Sequence, residues 1–191
     1  MHSLMGQQQG ASANGTDGGG AVENAWVAAL VQTNCERQVA RKLEPLSFEC
    51  YVPVQEEIHL WSDRKKKVQR LVIPNIVFVK TPQPRFDELK RLSFVRGLLS
   101  HPGEKEPARI PEVQMEKLRF MLGQTDVPVE LENNVRQLKV GEGKYRVMRG
   151  PFRGLEGTIY YMRDGDVHVG VLLQGLGFAN VRINKSDIER I

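Results

Sequence analysis

The chain has 191 residues, enough for one ordinary domain or two small ones, and it is 40% hydrophobic and 26% charged, as globular proteins are. No apolar run approaches the roughly 18–20 residues of a membrane helix, and the N-terminus lacks the basic-then-apolar pattern of a secretory signal. A formal net charge of +4 is mildly basic, which suits contact with nucleic acid without establishing it. Cys35 and Cys50 have no companion metal ligands and read as free thiols of a cytoplasmic protein, with a disulfide between them as the alternative. His2, His59, His101 and His168 are scattered, and no phosphate loop or nucleophile elbow occurs. Gly141-x-Gly143 lacks a dinucleotide-binding context. No catalytic residue, metal site or cofactor is expected.

Residues 1–23 are rich in Gln, Gly, Ser and Asn and offer almost no apolar side chain to offset ordering entropy, so a disordered tail is expected there. Ala25–Val31 reads as a buried strand. Asn34 then offers an N-cap, and Val39, Leu43 and Leu46 fall on one helical stripe. Between Cys50 and Leu60, Val52, Val54, Ile58 and Leu60 alternate as in a half-buried strand. Ser62-Asp63-Arg64-Lys65-Lys66-Lys67 reads as a turn too charged to bury. Leu71–Val79 predicts a strand apolar on both faces. Phe86, Leu89 and Leu92 predict a short helix, and Phe94–Leu99 a further strand. Pro111, at a helix N1 position, precedes a helix carrying Val113, Leu118, Met121 and Leu122. This β-α-β-β-α-β-α order predicts an α+β domain over residues 24–122, an antiparallel sheet with its helices on one face.

Residues 123–137 mix Gly, Pro, Asn and acidic side chains without periodicity and read as a linker. Residues 138–191 are dominated by short strands and glycines. Asp164-Gly165 between two apolar runs is a hairpin signal, and Val167, Val169 and Val171 alternate on the strand after it. A small β-barrel is the economical outcome, since closure removes exposed edges. In KYRVMRGPFRGLEGTIYYMR, residues 144–163, Pro151 fixes a tight turn, Gly150 and Gly154 tolerate unusual backbone angles, and Gly157 permits a kink or close approach. Taken locally, these are also what the turns of any small β-domain carry.

Gly150, Pro151, Phe152, Gly154 and Gly157 resemble the KOW motif. The segment ECYVPVQEEIHLWSDRKKKVQRLVIPNIVFVK, with Ile73-Pro74-Asn75-Ile76-Val77-Phe78-Val79 near its end, resembles the hairpin of the NusG N-terminal (NGN) domain. VRINKSDIERI resembles the last strand of the family. From Ala25 to Ile191 the chain is therefore similar to the NusG family of transcription elongation factors, whose KOW domain is an SH3-like barrel. Asn75 stands where general members commonly carry glycine, and with the short charged hairpin it resembles the specialised RfaH-like paralogues that regulate surface or capsular polysaccharide operons.

The resemblance implies a non-catalytic monomer that binds RNA polymerase at the clamp helices of its largest subunit, through Leu30, Ile73, Pro74, Ile76 and Phe78, and suppresses pausing and termination. It places Arg64, Lys65, Lys66, Lys67 and Arg70 near DNA at the upstream bubble edge, where each phosphate contact adds salt-dependent affinity. A solvated turn is the alternative for that hairpin. Gln32 and Arg37, with Thr33 and Asn34, start the first helix where relatives read the exposed DNA strand, although helix capping also accounts for Asn34. The His-Thr-Thr motif of some relatives is absent; Phe86-Asp87-Glu88 stands in that region. Leu176 and Phe178 lie where KOW domains bind ribosomal protein S10 or Rho, and Phe178 equally fits a core role. Two other readings remain: a housekeeping elongation and termination factor, and a KOW-type RNA-binding module associated with the ribosome.

Overall fold

A computed structural model describes residues 24–60, 64–124, 127–133, 141–163 and 166–191. The expected N-terminal tail, the Asp164-Gly165 turn, most of the polar 62–64 tip and part of the linker lie outside the described residues.

The N-terminal sheet is antiparallel, in the order β2-β5-β1-β6, from β1 (Asn24–Leu30), β2 (Glu49–Tyr51), β5 (Ile76–Pro82) and β6 (Gly97–Leu98). β1 and β5 pair along their whole length, Asn24 opposite Pro82 and Leu30 opposite Ile76. Both strands are apolar at successive positions, so both faces must be covered. On one face Val27, Ala29, Val77 and Val79 pack against Val39 and Leu43 of α1 (Glu36–Leu43) and Phe86 and Leu89 of α2 (Phe86–Arg91). On the other, Trp26, Ala28, Ile76 and Phe78 share a core with Met115, Leu118 and Met121 of α3 (Glu112–Leu122). The helices thus lie on both faces of the sheet, where one was expected. The reason is the double-sided apolar pattern of β1 and β5.

Several expected elements differ locally. The strand expected over Cys50–Leu60 breaks at Val52-Pro53, because proline brings no N–H to a ladder; it continues as β3 (Val54–Leu60), which pairs with β4 (Lys65–Leu71) in a separate two-stranded hairpin. Lys65, Lys66 and Lys67, expected in a turn, are therefore strand residues. Leu71–Val79 is not one strand either: β4 ends at Leu71, and Asn75 turns the chain with φ 65° before β5 begins. That left-handed angle is one that glycine and asparagine tolerate, so backbone geometry accounts for asparagine at this position. Asn34 is also left-handed, at φ 63°, and Cys35 occupies the N-cap of α1 without a side-chain bond, so Asn34 does not cap. The strand expected over Phe94–Leu99 is only the two residues of β6, and Pro111 is the residue before α3 rather than its first. Leu46 of the α1 stripe and Val113 of the α3 pattern are exposed.

The C-terminal sheet has six strands in the order β12-β8-β9-β10-β11-β7, from β7 (Glu130–Glu132), β8 (Tyr145–Val147), β9 (Glu156–Arg163), β10 (Asp166–Leu173), β11 (Gly177–Asn184) and β12 (Ile188–Arg190). Among the described residues the sheet stays open where a closed barrel was expected, and β7 comes from the segment read as linker. Val167, Val169, Val171 and Leu173 alternate inward as their spacing requires. Gly150 and Gly154, at φ 78° and 90°, shape the turn after β8, and the Gly154 N–H closes it on the Val147 carbonyl at 2.8 Å. Phe152, 2% exposed, anchors the turn in the core. A Cβ at Gly157 would stand 2.3 Å from the Gly170 carbonyl oxygen, so β9 and β10 approach too closely there for a side chain.

α3 joins the two sheets: its buried residues belong to one continuous apolar core with Val167, Val169 and Leu173. Leu118→Ala is expected to lower unfolding free energy in urea titration by about 2–5 kcal/mol. Val113→Ala, at an exposed position of the same helix, should stay within about 0.5 kcal/mol of the parent.

Candidate functional site

The apolar face of the N-terminal sheet is covered in this arrangement. Ile73, Ile76 and Phe78 are 1%, 3% and 0% exposed, Leu30 is half-buried against the same cluster, and Pro74 is exposed at the rim. The cover is α3 together with the C-terminal sheet. Lys117 of α3 donates its Nζ–H to the Glu156 carbonyl at 2.7 Å, and the Gln174 N–H donates to Gln114 Oε1 at 3.3 Å. A Cβ at Gly175, which has φ 75°, would stand 2.7 Å from the Ala108 methyl carbon, so the β10–β11 turn rests directly on the N-terminal part of the chain. Leu176 is half-buried beside that turn. Phe178 is 1% exposed and packs against Tyr160 in a tilted ring pair with centroids 3.8 Å apart, which makes it a core residue here.

α3 is fixed on the sheet by a polar cluster at its first turn. The Trp26 indole N–H donates to Glu112 Oε2 at 2.7 Å, and Lys80 Nζ reaches the same oxygen at 2.8 Å. The Arg119 guanidinium lies over Trp26 and Tyr51, 4.7 and 5.1 Å from their ring centroids. The Lys80 hydrogen bond, helped by the indole N–H, holds the Glu112 carboxyl below the usual carboxylate range. Burial pushes the Tyr51 hydroxyl up, against the opposing charge of Arg119.

A second, polar surface gathers where α1 begins. Glu36, 2% exposed, accepts the Asn75 N–H at 2.8 Å, and Thr33 Oγ1 donates to Asn75 Oδ1 at 2.5 Å. Arg37 Nη2 donates to Gln69 Oε1 of β4 at 2.6 Å. Lys65 and Lys67 lie on the same side of β4 as Gln69, since strand side chains alternate. The fold thus brings Arg37, Lys65 and Lys67 to one side, with exposed Gln32 at the adjoining loop. Lys67 makes a loose pair with Glu56 at 3.6 Å, and both side chains are largely exposed.

Arg70 falls on the opposite side of the hairpin. It is paired with Glu57 and donates to the Val129 carbonyl at 2.9 Å. That pairing lowers the Glu57 pKa, chiefly through the Arg70 hydrogen bond. Lys66 alternates onto this side, and Arg64 is exposed at the start of the hairpin strand. Sequence reasoning missed Gln69 and Gln55, which bridge separate elements, and singled out Asn75 as a subfamily marker rather than as the residue that Thr33 and Glu36 hold. Only Asn75, in a Pro-Asn pair, carried a local signal, that of a turn.

Among the described residues no group of three His, Cys, Asp or Glu side chains is placed to hold a metal. Burial, with Glu44 and Glu49 nearby, pushes the Cys50 thiol up to about 12, so it is a poor nucleophile. No described helix is long and apolar enough to cross a membrane.

The fold and its two surfaces define an α+β module that carries a basic hairpin beside an apolar sheet face. A family model described as transcription termination factor nusG matches residues 24–119, and the chain belongs to this NusG family of transcription factors, which act with RNA polymerase. No curated protein is significantly similar to it in sequence. Among solved structures it is similar to Thermotoga maritima NusG, described under "Domain interaction in Thermotoga maritima NusG", at 19% identity and TM-score 0.47, over 90% of this chain and 99% of that one. It is also similar to the MjSpt4:Spt5 complex in conformation A, at 13% identity and TM-score 0.27, over 87% of this chain and 97% of that one.

The Glu112 cluster yields a pH prediction. The folded carboxyl titrates below its ordinary value of 4.5, so its contribution is present above about pH 4.5 and is lost as pH falls through the lowered pKa. Urea midpoints of the parent and Glu112→Gln should therefore differ at about pH 7, with the parent higher, and draw together as pH falls through the lowered pKa.

Proposed function

We propose that the chain is a non-catalytic, two-domain elongation factor whose N-terminal domain docks on the clamp helices of RNA polymerase through Leu30, Ile73, Pro74, Ile76 and Phe78. Holding the clamp closed would disfavour paused and terminating states, a population shift that needs no covalent step. The observation that carries this reading is the face around Phe78: Ile73, Ile76 and Phe78 are buried in a core that α3 and the C-terminal sheet of the same chain close together. Docking then requires the C-terminal domain to move aside. Once released, that domain, which carries the KOW-like turn, offers Leu176 to a second partner of the class of ribosomal protein S10 or Rho.

Gln32, Arg37, Arg64, Lys65, Lys66 and Lys67 are proposed to meet DNA at the upstream bubble edge. Arg70 is left out of this set because Glu57 and Val129 already engage it. Action on selected operons is the preferred subclass. Its support is the charged hairpin alone, since the left-handed backbone explains Asn75 in any subclass.

Two outcomes test this reading. Gly175→Asn keeps a residue that tolerates positive φ but forces a side chain against Ala108, so the full chain should capture more core RNA polymerase in a pull-down. Adding Leu30→Asp and Pro74→Asp, one half-buried and one exposed, should abolish that capture in a variant that circular dichroism shows folded. Unchanged capture in both variants removes the docking surface. Separately, Lys65→Ala/Lys67→Ala should weaken DNA binding about uniformly across sequences, and should make the slope of log affinity against log salt shallower by about 2. An unchanged slope assigns the hairpin to solvent.

A further inference from the structure

The segment joining the two sheets is held at a built polar site. Gln55, in β3, is 1% exposed although its neighbours in the hairpin are charged. Its Nε2 donates to the Gln124 carbonyl at 2.7 Å and to the Val127 carbonyl at 2.8 Å. Its Oε1 accepts the Val129 N–H at 2.9 Å. Arg70 completes the site, donating from Nη2 to the Val129 carbonyl at 2.9 Å and to Gln55 Oε1 at 3.3 Å. Both amide N–H groups and the amide oxygen of one side chain are thus spent on the backbone of one loop. Removing the side chain would take a partner from three backbone groups, the buried Val129 N–H and the part-buried Gln124 and Val127 carbonyls, and an orphaned buried donor is costly.

The other end of the same segment is held by the C-terminal sheet. Leu131 of β7 lies opposite Ala179 of β11, with Glu130 opposite Asn180 and Glu132 opposite Phe178. Asn180, 5% exposed, donates from Nδ2 to the Glu130 carbonyl at 3.3 Å and is bonded through Oδ1 to His168 Nδ1 at 2.7 Å. The two anchorages are adjacent: Val129 is held by the hairpin and Glu130 by β11. Neighbouring Cα atoms are only about 3.8 Å apart, so the segment has no slack between them. A flexible tether would let the two sheets part freely. This one does not, unless one anchorage lets go first.

We propose that Gln124 and residues 127–132 form a latch that sets how often the two sheets separate, with Gln55 as its catch. This rests on the reading that separation uncovers the face around Phe78. It assigns the hairpin a second role: one side presents Lys65 and Lys67, and the other grips the linker. Gln55 is a positioning residue, acting on the covered face only through the linker backbone.

The test uses the full chain with Cys35→Ser and Cys50→Ala, and reads the rate at which a small thiol reagent labels a single introduced cysteine. Ala108→Cys, 3% exposed beneath Gly175, reports separation of the sheets. Val77→Cys, 0% exposed against α1 and α2, reports unfolding of the N-terminal sheet itself. Gln55→Ala is expected to speed labelling at 108 about tenfold or more, the factor corresponding to about 1.4 kcal/mol, and to leave labelling at 77 unchanged. Inserting four glycines between Val129 and Glu130 keeps Gln55 and supplies slack, and should likewise raise the rate at 108 alone.

Unchanged rates at 108 in both variants overturn the latch, and so does an equal rise at 108 and 77, which would make Gln55 a support of the fold only. Labelling at 108 in the parent as fast as an exposed thiol would show the sheets already apart; that overturns the covered-face reading and the latch with it. None of these measurements involves polymerase, so a failure of polymerase docking is read separately.

Discussion

β5 points Val77 and Val79 towards α1 and α2, and Ile76 and Phe78 the other way, and all four are 3% exposed or less. A strand with this pattern is stable only where both of its faces are kept from water, and each such side chain is worth about 1.5–3 kcal/mol when buried. The first helices cover one side. The second side has no helix from the β1–β6 stretch to cover it, and what closes it is α3 and the C-terminal sheet. The position of α3, its attachment through Trp26, Glu112 and Arg119, and the contact of Gly175 with Ala108 all follow from that demand.

Where hydrophobic period alone decides the structure, the sequence was readable: β1, α1, α2, α3 and the alternating valines of β10 fall where their spacing puts them. It failed at the break between β4 and β5, because Leu71–Val79 is apolar throughout and only a left-handed Asn75 marks the turn. It failed for the exposed alternation of Ile58 and Leu60, which imitates a half-buried strand on a hairpin that packs through its other side. The glycines at 150, 154 and 157 were legible as turn and close-approach residues, and their backbone angles and contacts explain them. Whether those strands close into a barrel was not legible, because closure depends on pairing between ends far apart in sequence.

The candidate site was legible as a set of residue types and not as a surface. Ile73, Ile76 and Phe78 could be picked out as surplus apolar side chains, but whether a partner or the chain itself covers them is a matter of tertiary packing. Arg70 looked equivalent to Lys65 and Lys67 in a run of cations. Strand alternation separates them, and its ion pair with Glu57 and its bond to the Val129 carbonyl give Arg70 a different task. Gln55 was invisible for the opposite reason: one glutamine beside two glutamates draws no notice until its amide is found saturated by the linker.

Covering an interaction face with part of the same chain sets a quantitative condition on any partner. Withdrawing the C-terminal sheet while α3 stays would uncover part of this core, at about 1.5–3 kcal/mol for each apolar side chain exposed, so the separated form is a minor state unless something of similar apolar character replaces the lost contacts. To turn an equilibrium of about 1:99 into about 99:1, the partner must favour the separated form by roughly 10⁴-fold. On the proposed docking, a clamp helix pair would supply such a preference, because its contacts would form only with the C-terminal sheet moved aside. A ligand of the basic hairpin has no such preference by itself, since Arg37, Lys65 and Lys67 are accessible in the covered form. On the proposed reading the apolar face would govern when the two sheets part, and the hairpin charges would govern only where on an anionic polymer the chain first arrives.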